Sequence, residues 1–168
     1  MSTLAENFRS AFRTHPAGVS LLSANPFGAP VGLTISSLAS LSLDPVAVSF
    51  SLTRDSGSAG ALLQAPTFVI NFLGEHQSHV ADAFARSDGA RFTEEQGWAY
   101  LADGAPYLVD SPVAMRARVH SSLQVGGSRL IAAEVLEVIN GTQASHLLYR
   151  DRTYLSLDGA QPLVPRDH

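Results

Sequence analysis

The sequence predicts a mainly β domain, an antiparallel barrel or sandwich with two or three short helices. Three observations support that class. About seven short runs of alternating or β-branched apolar residues follow one another along the chain. Turn signals separate them, among them Asn25-Pro26-Phe27-Gly28, Asp44-Pro45 and Gly126-Gly127. Strands and helices do not alternate as a parallel α/β sheet requires.

The first element is a helix. Thr3 and Glu6 fit a capping box, and Leu4, Phe8, Ala11 and Phe12 share one helical face. Pro16 stops it, because a residue preceding proline is pushed out of the helical region. Ala17 to Ala24 reads as a strand, and Val31 to Leu43 as one long strand rich in hydroxyl and β-branched residues. Val46, Val48, Phe50 and Leu52 then alternate with Ala47, Ser49 and Ser51. A short helix is expected from Gly57 to Gln64 and another from Glu75 to Arg86, with Val80, Ala83 and Phe84 on its apolar face. Thr67 to Leu73 between them is a buried strand. Residues 87 to 111 read as irregular. Val113 to His120 alternates as a strand with one wet face, and Leu130 to Ile139 returns beside it. Asn140-Gly141 is a hairpin signal, followed by short apolar runs at Leu147 to Tyr149 and Thr153 to Leu157.

Composition narrows the function. The chain has 168 residues, enough for one domain with its own core, and it carries no Cys. Disulfides, thiolate nucleophiles and Cys-ligated metals are thereby excluded. A net charge of −4 and arginines scattered singly from Arg9 to Arg166 give no positive stripe for nucleic acid. No apolar run approaches the roughly 20 residues of a membrane span, and no signal peptide is legible. A cytoplasmic location is the expectation.

Two clusters bear on chemistry. In Thr53-Arg54-Asp55-Ser56-Gly57-Ser58-Ala59-Gly60 a hydroxyl-rich loop runs into a helix start, where backbone N–H groups and the helix dipole suit a phosphate. An ordinary helix cap explains the same serines. In Thr34-Ile35-Ser36-Ser37 two hydroxyls point one way along a strand edge, an array that suits a flat polar heterocycle or a wet strand face. His76 and His79 stand three apart, but no third ligand is near in sequence, and His76 is expected to share the apolar face of its helix. No metal is expected.

Several motifs in order resemble the flavin reductase-like, FMN-binding split-barrel family, which includes the small reductase components of two-component monooxygenases. Phe12-Arg13-Thr14-His15-Pro16-Ala17-Gly18-Val19 resembles its opening element. Gly32-Leu33-Thr34-Ile35-Ser36-Ser37-Leu38 and Ser42-Leu43-Asp44-Pro45 resemble its central signature. Phe68-Val69-Ile70-Asn71-Phe72-Leu73, Arg91-Phe92 and Leu147-Leu148-Tyr149-Arg150-Asp151-Arg152-Thr153-Tyr154 follow. The likeness covers about residues 6 to 157 of a single domain, leaving 158–168 as a tail.

The resemblance implies a six-stranded antiparallel Greek-key barrel, a homodimer, and reduction of FMN or FAD by NADH or NADPH for a partner monooxygenase. It places Thr34, Ile35, Ser36 and Ser37 on the flavin ring with Ser51 and Leu52 alongside, and Ser56 and Ser58 on the phosphate. Asn71, Arg91 and Tyr154 fall at positions near the flavin. On the nicotinamide side the family carries a Gly-Asp-His run, where this chain has Gly126-Gly127-Ser128 followed by Arg129. That departure leaves a second reading open, a flavin carrier, electron-transfer module or sensor without reductase activity. Nucleic-acid binding, a third use of small barrels, is disfavoured by the acidic charge.

Overall fold

The computed structural model describes residues 2–141 and 143–160; most of the expected tail, residues 161–168, lies outside them. Helix α1 (Leu4–Thr14) begins with the capping box read from the sequence. Thr3 Oγ1 accepts the Glu6 N–H at 3.2 Å, and the Glu6 carboxylate accepts the Thr3 N–H at 2.7 Å. No residue of α1 is buried, and Leu4, Phe8 and Phe12 stand exposed along one stripe. Its attachment is polar: Arg13 pairs with Asp151 at 2.5 Å, and Arg150 donates to the Thr14 carbonyl at 3.0 Å.

The strands are β1 (Ala17–Gly18), β2 (Ser20–Ala24), β3 (Val31–Ile35), β4 (Ala39–Leu43), β5 (Val46–Leu52) and β6 (Phe68–Phe72), with α2 (Gly57–Gln64) between the last two. Helix α3 (Ser78–Ala85) follows a 3₁₀ turn at Glu75–Gln77. Then come β7 (Trp98–Tyr100), β8 (Pro106–Leu108), β9 (Val113–Val125), β10 (Ser128–Asn140), β11 (Leu148–Arg150) and β12 (Thr153–Leu155). The main sheet is antiparallel, in the order β3-β2-β6-β9-β10-β5-β4. It holds seven strands where the resemblance implies six, because the Val31–Leu43 run breaks at Ser36–Leu38 into two strands. Those consecutive strands occupy opposite edges, so the sheet must curl until its edges meet across three residues. That curl is what makes it a barrel. Leu22, Phe50, Leu52, Phe68, Ile70 and Ile131, each at most 1% exposed, fill the interior.

Four expectations are corrected. Residues 87 to 111 contain the β7–β8 ribbon, which pins Trp98 against Phe84 and Phe92. Val48, Phe50 and Leu52 are buried as the alternation requires, but Val46 is exposed and Ala47 buried, opposite a bulge between Ser40 and Ser42 of β4. His76 does not share the buried face of α3, which is made by Val80, Ala81 and Phe84. Asn140-Gly141 forms no hairpin: the Gly141 N–H donates to Pro112 at 3.0 Å, and β11 goes on to pair with β1 and β12.

Candidate functional site

A cleft of about 470 Å³ opens where the outer face of β3, the segment from Thr53 to Ala59, and the end of α3 converge. Its floor depends on Gly32. A Cβ there would lie 2.8 Å from the Phe84 ring and 2.9 Å from the Leu22 carbonyl oxygen, so only glycine lets α3 approach this closely. Two residues on, Thr34 donates from Oγ1 to the Ala81 carbonyl at 2.9 Å and ties β3 to the same helix. The Phe84 ring then carries the Arg91 guanidinium, 5.6 Å from its centroid.

The polar corner lies at the start of α2. Ser56 is the N-cap residue in extended backbone, yet its hydroxyl makes no capping bond. An ordinary cap would use it on the helix. The first turn holds no acidic residue, and its free N–H groups point outward at the positive end of the dipole. Gly57, at φ 60°, takes the left-handed conformation that directs the chain from loop into helix. Arg91 donates to Ser58 Oγ at 3.3 Å and to the Arg86 carbonyl, while its Nε is buried without a partner. Arg54 and Arg86 add two further cations to the walls. The hydrogen bond and charge of Asp88 raise the Arg86 pKa further, and Arg86 correspondingly lowers that of Asp88. Such a corner suits a phosphate ester, with the groove along β3 left for something flat.

The cleft gathers Thr34, Ser56, Ser58 and Arg91 of the residues expected at a flavin. Ser36 and Ser37 are exposed at the adjoining sheet edge. Ser37 Oγ accepts the Ser51 N–H at 3.0 Å and donates to the Ser51 carbonyl at 3.2 Å, clipping the two edges together. Ile35 and Leu52 turn their side chains into the core and leave only backbone to a ligand.

Two more of the expected residues do not line the cleft. Asn71 is fully buried, donating to the Leu21 carbonyl and to Ser23 Oγ, both at 3.0 Å, and accepting the Leu108 N–H at 2.8 Å. Every polar atom of its amide serves the fold. Tyr154 lies outside the cleft, on the tyrosine pair of β11–β12; burial, then the charges of Asp82 and Tyr149, raise its pKa. Ser128 is half-buried at the start of β10. Arg129 is held by Asp55 and Ser122. Sequence reasoning missed Arg86, whose only signal is its place at the end of α3, and Gly32, legible only as part of the motif around Thr34.

A second cleft of about 480 Å³, among Val19, Leu38, Phe72, Met115 and His146, is mainly apolar and has no arginine or lysine in its lining. The basic cleft is therefore the better candidate. Comparisons with known proteins point the same way. A family model described as a flavin reductase like domain matches residues 12–158. An NADH:FMN oxidoreductase of Rhodococcus erythropolis is 40% identical over 154 residues, 89% of this chain and 80% of that protein. The reductase component of a 4-nitrophenol 4-monooxygenase/4-nitrocatechol 2-monooxygenase of Rhodococcus opacus is 32% identical over 145 residues, 86% of this chain and 77% of that protein. The crystal structure of a flavin reductase domain protein of Arthrobacter sp. FB24 superposes with a TM-score of 0.84 at 30% identity, covering 98% of this chain and 99% of that one.

The buried amide of Asn71 yields a prediction about stability. Asn71→Ala leaves the Leu108 N–H without its acceptor, and should cost about 2–4 kcal/mol in urea unfolding. Ligand affinity measured on the folded fraction should stay unchanged. A loss of affinity with full stability would return Asn71 to the site.

Proposed function

The chain belongs to the flavin reductase-like family, and from that premise we propose that its basic cleft binds FMN, or the FMN part of FAD, for reduction by NADH or NADPH. The reduced flavin then serves a partner monooxygenase. One observation carries the assignment of the site. The Ser56 hydroxyl, uncommitted at the head of α2, stands with Ser58 and Arg91 beside a strand edge that is free to meet a ring. A flavin mononucleotide has that division, a dianionic phosphate at one end and a planar heterocycle at the other.

A bound flavin would supply the chemistry, as the acceptor of a hydride from the nicotinamide. The chain needs no acid or base of its own for that transfer. It has to hold two rings in contact and offer donors where negative charge grows. Ser56, Ser58 and the first N–H groups of α2 bind the phosphate, with Arg91 closing over it. The exposed hydroxyl and backbone of Ser36 border the ring. The Ser37–Ser51 clip keeps that border rigid, which lowers the ordering cost of binding. The Gly126–Ser128 tip belongs to the nicotinamide side in this reading, and Arg129 reaches Asp55 and Ser122 through Nη2 and Nη1 while its Nε is buried without a partner.

We also propose a homodimer resident in the cytoplasm. Leu4, Phe8 and Phe12 on α1, Leu41 and Leu43 on β4, and Leu123 and Val125 at the end of β9 are exposed. Large apolar side chains left this open to water suit surfaces that a second copy would cover. No helix among the described residues is long and apolar enough to cross a membrane.

Three outcomes test this. Replacing Ser56 and Ser58 together by Ala should weaken FMN by roughly 1–3 kcal/mol and leave riboflavin, which lacks the phosphate, almost unaffected; equal losses in a fluorescence titration would move the phosphate elsewhere. A Cβ at Gly127 meets nothing within 4 Å, which leaves room for Gly127→Asp in a double change with Ser128→His. That double change should raise kcat/KM for NADH oxidation with the flavin dissociation constant held, and no change in either would take the tip out of the nicotinamide site. Sedimentation at micromolar concentration should show about twice the 17.8 kDa chain mass, and a monomer alone would overturn the dimer.

A further inference from the structure

The phosphate-binding segment contains a residue that does not suit a phosphate. Asp55 sits between Arg54 and Ser56, both of which line the cleft. An unpaired carboxylate there repels the ligand that its neighbours attract. The Asp55 carboxylate does not stand alone: Arg129 Nη2 of β10 lies 3.5 Å from its Oδ2. The same guanidinium donates from Nη1 to Ser122 Oγ of β9 at 3.2 Å.

This arrangement is poor as a device for stability. The Asp55 side chain is 56% exposed, and an ion pair so open to water contributes little. It is well made for placing a charge. The Cα of Arg129 is opposite Leu52, the last residue of β5 before the chain swings out into the segment. Three residues later the same arginine catches Asp55, so both ends of the swing are referred to one point on β10. From the other side, the Asp55 carbonyl fills the space that a Cβ on Gly60 would need and presses the segment onto the first turn of α2. Backbone and carboxylate are thereby clamped separately.

We propose that Arg129 is a positioning residue for flavin binding: it draws the Asp55 carboxylate toward β10 and neutralises it, so that the segment meets the phosphate with Ser56, Ser58 and the α2 N–H groups alone. This rests on the reading of that corner as the phosphate site. It also gives Arg129 a task other than nicotinamide recognition.

The test compares FMN with riboflavin by fluorescence titration at low salt. In the wild type FMN should bind more tightly than riboflavin; equal affinities would sink the phosphate reading itself. With that preference established, Arg129→Ala should weaken FMN about three- to tenfold, the effect of one partly screened charge at the rim of a site, and leave riboflavin unchanged. Adding Asp55→Asn to Arg129→Ala should restore FMN to within about twofold of wild type, because the offending charge has gone while the arginine is still absent. Arg129→Gln, which keeps a donor for Ser122, takes the place of the Ala variant if that fails to fold. Equal weakening of FMN and riboflavin, no weakening of either, or no recovery on adding Asp55→Asn would each overturn the role of Arg129.

Discussion

The close approach of α3 to β3 at Gly32 is the contact on which the site depends. With no side chain at that position, the Phe84 ring comes within van der Waals reach of the strand. Phe84 in turn stacks with Phe92 and Trp98, at centroid distances of 5.0 and 5.7 Å, and bears the Arg91 guanidinium on its face. The position of Arg91 is thus set by hydrophobic packing before any ligand arrives, and its bond to Ser58 joins α2 to the same assembly. Arginine suits this place because its flat guanidinium lies on an aromatic face while its edge donates.

Charge is managed locally in a chain that is acidic overall. Arg86 is braced by Asp82 at 3.8 Å and Asp88 at 3.2 Å, both outside the cleft lining. Arg91 is braced by a carbonyl, a hydroxyl and a ring, with no carboxylate. Of the three cleft arginines, Arg54 and Arg91 have no carboxylate partner among the described residues, and Arg91 is the one bonded to Ser58. Net charge of −4 therefore says little about the ligand, whereas the choice of partner for each arginine says a good deal.

Much of this was legible in the sequence, and the failures have physical causes. The capping box of α1, the limits of α2 at Gly57 and Gln64, and the buried run of β6 depend on local chemistry and were read as they stand. The split of Val31–Leu43 was not, because the curl that forces it is a property of the whole sheet. Asn71 lies in a matching motif, but a motif does not reveal which way a side chain faces; the β2–β6–β8 junction claims its amide. Thr34, Ser56, Ser58 and Arg91 do meet in one cleft. The Arg129–Asp55 pair joins elements far apart in sequence, and no window along the chain contains both.

Helix α1 has a consequence of a different kind. None of its 11 residues is buried, and Arg13 and Thr14 tie it to Asp151 and Arg150 by hydrogen bonds. A helix of that length is marginal in water when its apolar stripe has nothing to pack on. A surface that covered Leu4, Phe8 and Phe12 would add the packing free energy that the helix lacks on its own. In the proposed homodimer, helical order at the amino terminus and occupancy of that stripe would be one equilibrium, and the conformation of this segment would follow concentration as well as sequence.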